Sequence, residues 1–188
     1  YLSGGVNNEK VWIFDNGSYG FAAGEVTYAD PSTTVEWNNW SANWDPGVGH
    51  SGDDAIWEST MTFGLTGGAN VTVYNSSSQS TAVGTFMLNV DDHTITFTDC
   101  ELLHTPSWSD RSTNWNRNLK LLELDENHMR IGVMRDNSEG PWWLVWNFVS
   151  KEYADNYVPE DRPDPEPALP DGWEDMVSEV VTTEIKWT

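Results

Sequence analysis

In Thr60-Met61-Thr62-Phe63-Gly64-Leu65, polar and apolar side chains alternate without interruption. Successive residues of a strand point to opposite faces, so Met61, Phe63 and Leu65 share one face and Thr60, Thr62 and Gly64 the other. That is the pattern of an antiparallel sheet packed on one side only. Thr94-Ile95-Thr96-Phe97-Thr98 repeats it, with Ile95 and Phe97 opposing three threonines. Outward from these two, runs of β-branched and aromatic residues recur between clusters of Gly, Asn, Asp and Ser. Strands are expected at Lys10–Phe14, Thr33–Trp37, Trp57–Leu65, Asn70–Tyr74, Val83–Asn89, Thr94–Thr98, Asn118–Leu124, Met129–Met134 and Trp142–Val149. Asn89–His93 and Asp125–His128 have the composition of hairpin loops, and Asp136–Gly140 leads into the last strand in the same way. Short connections without a helical pattern predict an all-β antiparallel β-sandwich, jelly-roll-like. A closed barrel is the second architecture, because hairpin follows hairpin toward the C-terminus.

This β module is expected over residues 1–153. Beyond Val149 the composition changes, and residues 154–170 read as a linker dense in proline and acids. In 171–188, Trp173, Met176, Val177, Val180 and Val181 fall on one helical stripe, with Asp171 as a capping candidate. That segment is expected to be a helix that either docks on the module or leads into a following one.

Nine basic residues face thirty acidic ones in 188, for a formal net charge of −21. Nucleic acid and anionic membrane surfaces need a basic footprint, so neither is an expected partner. The same charge disfavours anionic glycans. Cys100 is the lone cysteine, which excludes an internal disulfide framework and a Cys-rich zinc site. No apolar run reaches the roughly 18–20 residues of a membrane span, so insertion of this segment is not expected. The first residues lack the charged-then-apolar pattern of a secretory leader, and the start at Tyr1 suggests a fragment of a longer protein.

Twelve tryptophans are the strongest compositional signal. Trp40 and Trp44 lie among Asn39, Asn43 and Asp45, with almost no aliphatic residues nearby to bury them. The polar loop Ser107–Arg117 carries Trp108 and Trp115 in the same company, and Trp142-Trp143 opens the last strand. An indole beside polar groups suits a ligand with an apolar face and a hydroxyl rim, such as a sugar ring. Trp40, Trp44, Trp108, Trp115, Trp142 and Trp143 are therefore candidate stacking residues, and Asn43, Asp110 and Arg111 candidate hydroxyl partners. The plain alternative is that each indole caps the core, and it is favoured for Trp12, Trp57 and Trp146. Strand parity puts Trp146 with Trp142, Leu144 and Phe148 on the inner face and sends Trp143 outward with Asn147.

Catalytic patterns are sparse. The nearest approach to a jelly-roll glucanase motif is Glu123-Leu124-Asp125-Glu126-Asn127-His128, which lacks its last acid. The four histidines show no metal-ligand spacing, and no nucleophile elbow, P-loop or dinucleotide fingerprint occurs. No catalytic residue and no obligate cofactor is expected. Asp53 and Asp54 are candidate oxygen ligands for a structural Ca2+, against the plainer reading of an acid pair in a turn.

The ordered series Lys10-Val11-Trp12-Ile13-Phe14-Asp15, Gly20-Phe21-Ala22-Ala23-Gly24, Asn39-Trp40-Ser41-Ala42, Asp53-Asp54 and Met61-Thr62-Phe63 resembles the carbohydrate-binding β-sandwich modules of Bacteroidetes surface glycan-binding proteins, the lipoproteins of polysaccharide utilisation. Gly84-Thr85-Phe86, the Leu122–Met134 hairpin and Trp142–Phe148 extend the resemblance over about residues 9–150. It implies a non-catalytic module that holds a neutral polysaccharide, β-glucan-like, at the outer-membrane surface, beside other domains of the same protein. Where that family often pairs two tryptophans, this chain has Asn39-Trp40. A jelly-roll glycoside hydrolase and a purely structural surface module are the alternatives.

Overall fold

The computed structural model describes residues 1–159. Most of the expected linker and all of the expected 171–188 helix lie outside the described residues. Nine strands form one antiparallel sheet: β1 (Glu9–Phe14), β2 (Val26–Ala29), β3 (Thr60–Gly64), β4 (Asn70–Asn75), β5 (Ser80–Asn89), β6 (Thr94–Thr98), β7 (Leu119–Leu124), β8 (His128–Met134) and β9 (Trp143–Ser150). From β3 to β9 each strand pairs with the next.

The sheet closes on itself. β1 pairs with β3 on one edge and with β9 on the other, through Trp12↔Ser150, Ile13↔Val149 and Phe14↔Phe148. β2 then continues along β9, through Val26↔Trp146 to Ala29↔Trp143. The expected two-layer sandwich is thus corrected to a barrel of eight strands in a ring, with β2 prolonging the β1 stave. Alternation along a strand is identical in both architectures. What separates them is whether last strand meets first, a long-range pairing that local pattern does not encode.

The interior is a packed core. Trp12, Phe14, Phe63, Phe97, Trp146 and Phe148 are each at most 2% exposed. Phe14 lies between Trp146 (ring centroids 5.6 Å apart) and Phe148 (5.1 Å). Parity along β9 holds as expected, with Leu144, Trp146 and Phe148 inside. The outer side is not simply wet, however, since Val145 and Asn147 are fully buried there too. A second, smaller apolar cluster of Ala29, Val35, Leu122 and Val145 sits on the outer wall under the 30–45 segment, with Trp40 and Trp143 against it.

Local chemistry explains the departures from the expected strands. Val26–Ala29 is buried on both faces, so it shows no alternation to find. Thr33–Trp37 is no strand: Asp30 Oδ1 accepts from the Ser32 amide (2.8 Å), its carbonyl from the Thr33 amide (3.0 Å), and Glu36 and Asn39 close a tight turn. Asn38 takes φ 50° inside that turn, which asparagine tolerates. Trp57 belongs to a 3₁₀ turn, Asp54–Glu58, that precedes β3. At the other end the chain passes directly into α1 (Lys151–Asn156), whose Tyr153 amide is capped by Ser150 Oγ (3.2 Å). The compact unit runs to Tyr157, beyond the expected boundary at 153.

Candidate functional site

Two long excursions flank a cleft on the outer wall. The first leaves β1 at Asp15 and returns to β2 at Glu25. Asn147 of β9 bonds both ends through its backbone, donating to the Glu25 carbonyl and accepting from the Asp15 amide (2.9 Å each). The fully buried Asp15 carboxylate accepts from the Gly17 and Ala22 amides (2.8 Å each), which fixes the loop that carries Phe21. Burial raises the pKa of Asp15, partly offset by those amides and by the Arg130 charge. Glu25, also fully buried, ties down the 47–52 loop by accepting from the Gly49 (3.0 Å) and Ser51 (2.9 Å) amides. Gly24 allows this approach, since a Cβ there would meet the Gly47 carbonyl at 2.6 Å.

The second excursion, residues 30–45, brings Trp40. The Asn38 amide donates to Leu122 O (3.0 Å), and Lys120 Nζ reaches Val35 O (2.7 Å) and Glu36 (2.6 Å). At its far end Trp44 forms a bridge with Tyr28 of β2. Between the excursions, a cleft of about 470 Å³ is lined by Phe21, Trp40, Asp45, Thr27, Glu123 and Arg130, with small residues between them.

Sheet register builds the floor. Glu123 of β7 pairs with Arg130 of β8, which pairs with Asn147 of β9. Glu123 reaches this face because the β7–β8 register shifts between Leu121 and Glu123. Without that bulge it would share the inner face with Leu119 and Leu121. Glu123 Oε1 accepts from Arg130 Nη1 (2.9 Å) and Trp40 Nε1 (3.1 Å), while Arg130 Nη2 donates to Phe21 O (3.0 Å). The guanidinium carbon lies 4.0 Å from the Phe21 ring centroid and 5.1 Å from that of Trp40. Phe21 in turn stacks on His128 at 4.2 Å. The cleft therefore offers aromatic edges, an ion pair neutral on balance, and the carboxylate of Asp45.

No protein-family model matches the chain, and no curated protein does.

The site geometry divides the expected residues. Trp40 lies in the cleft, half-buried, and Trp143 is half-buried on the same outer wall, with Lys120 Nζ 5.0 Å from its ring centroid. Trp44 is half-exposed and lies against Tyr28 (4.8 Å) and His50 (5.0 Å); Trp142 stands 6.5 Å from Tyr28. Trp108 and Trp115 are corrected: each is only 4% exposed, packed against Trp146 at 5.6 and 6.1 Å. The long β6–β7 connection folds its 3₁₀ turn, Pro106–Arg111, over the barrel end, where these indoles find apolar surface that their own sequence neighbours lack. They present no stacking face. Arg111 is also engaged, 4.4 Å over the Trp108 ring and paired with Glu139 (2.6 Å), while Asp110 is exposed beside it. Asn43 Oδ1 accepts from the Asp30 amide (2.7 Å), a loop-closing bond.

Asp53 caps the 3₁₀ turn by accepting from the Ala55 amide (3.1 Å), and Asp54 begins the turn. Among the described residues no group of three or more His, Cys, Asp or Glu is placed to hold a metal ion. Phe21, Thr27, Glu123 and Arg130 were not singled out as ligand residues by sequence. Phe21 carried part of the family resemblance, but the pairing that joins it to Trp40 passes through Arg130 and the bulge at β7.

Proposed function

We propose that this chain is a non-catalytic glycan-binding module that holds an uncharged, β-glucan-like polysaccharide, as part of a larger cell-surface protein. The observation that carries this reading is the cleft, in which Trp40 and Phe21 flank the Glu123–Arg130 pair and Thr27. Amphipathic rings supply apolar contact to the C–H edges of a sugar, and a few fixed polar groups take its hydroxyls. The ion pair is neutral by itself, and Asp45 in the cleft together with the chain's −21 repels anionic ligands. One such site binds weakly, and repetition along a polysaccharide or in neighbouring modules raises avidity.

Affinity electrophoresis against β-glucan, xylan and mannan tests it. Retardation by at least one neutral polymer is expected, with loss of retardation in Trp40→Ala. A chain that migrates unretarded in all of them is not a glycan-binding module. A glycoside hydrolase is the second reading, favoured by Asp45 lining the same cleft as Glu123. It predicts release of reducing ends from the retarding polymer, abolished by Glu123→Gln or Asp45→Asn; binding without release excludes it.

A further inference from the structure

We infer that the open end of the barrel carries a second sugar-binding site, built on Trp44 and His50 and separate from the cleft. That its ligand is an uncharged sugar ring rests on the glycan-binding reading above. Thr27 and Asp45 line the cleft. Their chain neighbours Tyr28 and Trp44 form a bridge and turn to the other side of that stave, because successive residues alternate. The Tyr28 ring enters the core there, and the Trp44 indole lies 4.8 Å from it. The His50 ring stands edge-on to the same indole at 5.0 Å. Half of Trp44 nevertheless stays open to solvent, and His50 is exposed. A ligand at this place meets both side chains without entering the core.

Both groups are held in place before any ligand arrives. The Asn43 and Trp44 amides donate to Tyr28 O (2.8 and 3.2 Å), and the Tyr28 amide donates to Trp44 O (2.8 Å). On either side of His50, the Gly49 and Ser51 amides donate to the buried Glu25 carboxylate (3.0 and 2.9 Å). Rigid presentation lowers the ordering cost of binding, so even one open indole can hold a ligand. The indole takes the apolar C–H face of a sugar. The neutral imidazole has one donor and one acceptor nitrogen, which suits hydroxyls, since each both donates and accepts. His50 Nε2 lies 3.4 Å from the Tyr28 hydroxyl, and its Nδ1 has no hydrogen bond among the described residues. The charged groups around these rings are Arg111 and Arg135, both on Glu139 Oε2 (2.6 and 2.7 Å), with Asp45, Asp110 and the buried Glu25. Carboxylates outnumber guanidiniums there, which disfavours an anionic sugar. With one open ring this is the weaker site, and a polysaccharide long enough to reach both gains by effective concentration.

NMR titration of the whole chain with β-gluco-, xylo- and manno-disaccharides, followed on the indole N–H signals, tests this. The Trp44 and Trp40 signals are assigned by their loss in Trp44→Ala and Trp40→Ala. In Trp40→Ala, the best-bound disaccharide should still move the Trp44 signal, with an affinity within about twofold of wild type. In Trp44→Ala it should still move the Trp40 signal. His50→Ala should weaken the Trp44 titration about tenfold, the worth of one hydrogen bond at the strong end of its range, and leave the Trp40 titration unchanged. An equal Trp44 titration in His50→Ala would overturn the role given to His50. If Trp40 shifts and Trp44 does not, or Trp44 stops shifting in Trp40→Ala, there is no separate second site and the glycan reading stands. If only a cationic amino-sugar disaccharide moves Trp44, the barrel end binds cations and the inference fails. If Trp44 alone shifts, the inference holds and the cleft loses its role. If no disaccharide moves either signal and no polymer retards the chain, both proposals fall together.

Discussion

Trp108 in Ser107-Trp108-Ser109-Asp110 and Trp40 in Asn39-Trp40-Ser41-Ala42 have closely similar surroundings in sequence and different fates in space. Trp108 reaches inside the closed sheet and is 4% exposed, against Trp146, while Tyr28 and His50 lie beside its ring. Trp40 lies on the outer wall, half-buried, with its indole N–H held by Glu123 and a guanidinium over its ring. A barrel has one interior, and a loop that crosses its open end delivers its indoles to the core. A loop laid along the wall can cover only one side of an indole. The lesson is that an indole in a polar loop is assigned by where its connection crosses the sheet, not by its neighbours in sequence. Full burial of an aromatic side chain removes about 150–250 Å², worth about 4–6 kcal/mol at about 25 cal/mol per Å², which is reason enough for the closing loop to fold inward.

The largest expected effect is on the inner group. Trp108→Ala should cost about 3–5 kcal/mol in urea denaturation, the price of a cavity lined by Trp146 and Tyr28. The folded fraction should keep its glycan affinity. A tenfold loss of affinity with unchanged stability would break the comparison by making the barrel end the binding surface. Trp40→Ala should behave the opposite way. A half-buried indole contributes about 2–3 kcal/mol of stability at the same coefficient, while affinity for the retarding glycan should fall at least about tenfold. Equal stability losses for the two variants would mean that Trp40 is an ordinary packing residue.

Why the two groups were hard to separate from sequence follows from the same geometry. The inward faces of β3 and β6 were legible, because Met61-Thr62-Phe63 and Ile95-Thr96-Phe97 alternate and no competing pattern overlaps them. The outward turn of Trp143 was legible for the same reason. Closure of the sheet was not, since it depends on Trp12 to Phe14 meeting Phe148 to Ser150 across more than a hundred residues. Nor was the cleft floor. Glu123 reaches it by a one-residue register shift, and Thr27 lies in a strand buried on both faces, which gives periodicity nothing to detect. Trp108 and Trp115 lie among polar neighbours in sequence and are buried all the same, because local polarity does not encode where a connection crosses the sheet.

A smaller effect should separate the regions by pH. His104 belongs to the inner group: its ring stacks on Trp115 at 3.9 Å and its Nδ1 faces Leu102 O at 2.8 Å. Because a carbonyl only accepts, Nδ1 carries the proton, and Nε2 lies 3.3 Å from Ser109 Oγ. Burial pushes its pKa below the ordinary value, against the Leu102 bond and the Glu101 charge, which raise it. An unfolded histidine takes up its proton near pH 6.5 while the folded one resists, so below about pH 6.5 the unfolded state binds more protons and stability falls. Asp15 works in the other direction at lower pH, since its raised pKa means that the folded state is protonated first. Thermal midpoints should therefore drop on acidification from pH 7.5 to 5.5. His104→Phe, which retains the stack, should flatten that slope. If the slope survives the substitution, the acid sensitivity lies elsewhere.

The smallest expected change in stability is at Trp44, and it joins the two regions. Its indole is 50% exposed at the barrel end, beside Tyr28 and His50, yet its chain position is four residues from Trp40. At about 3.5 Å per extended residue, at most about 14 Å of backbone separates the two. The Asn43 and Trp44 amides both bond Tyr28 O, at 2.8 and 3.2 Å, so the position of Trp44 along the wall is fixed. Trp44→Ala should cost about 1–2 kcal/mol, less than Trp40→Ala, because half of its indole already faces solvent and those backbone bonds stay in place. Its effect on binding should depend on ligand length. A disaccharide held in the cleft should bind unchanged, whereas a long chain that continues past Trp40 should lose a stacking contact and bind several-fold more weakly. Equal affinity of wild type and Trp44→Ala for every chain length would confine recognition to the cleft. A loss already present with the disaccharide would place the first sugar against Trp44 instead, at the barrel end where Trp108 is buried.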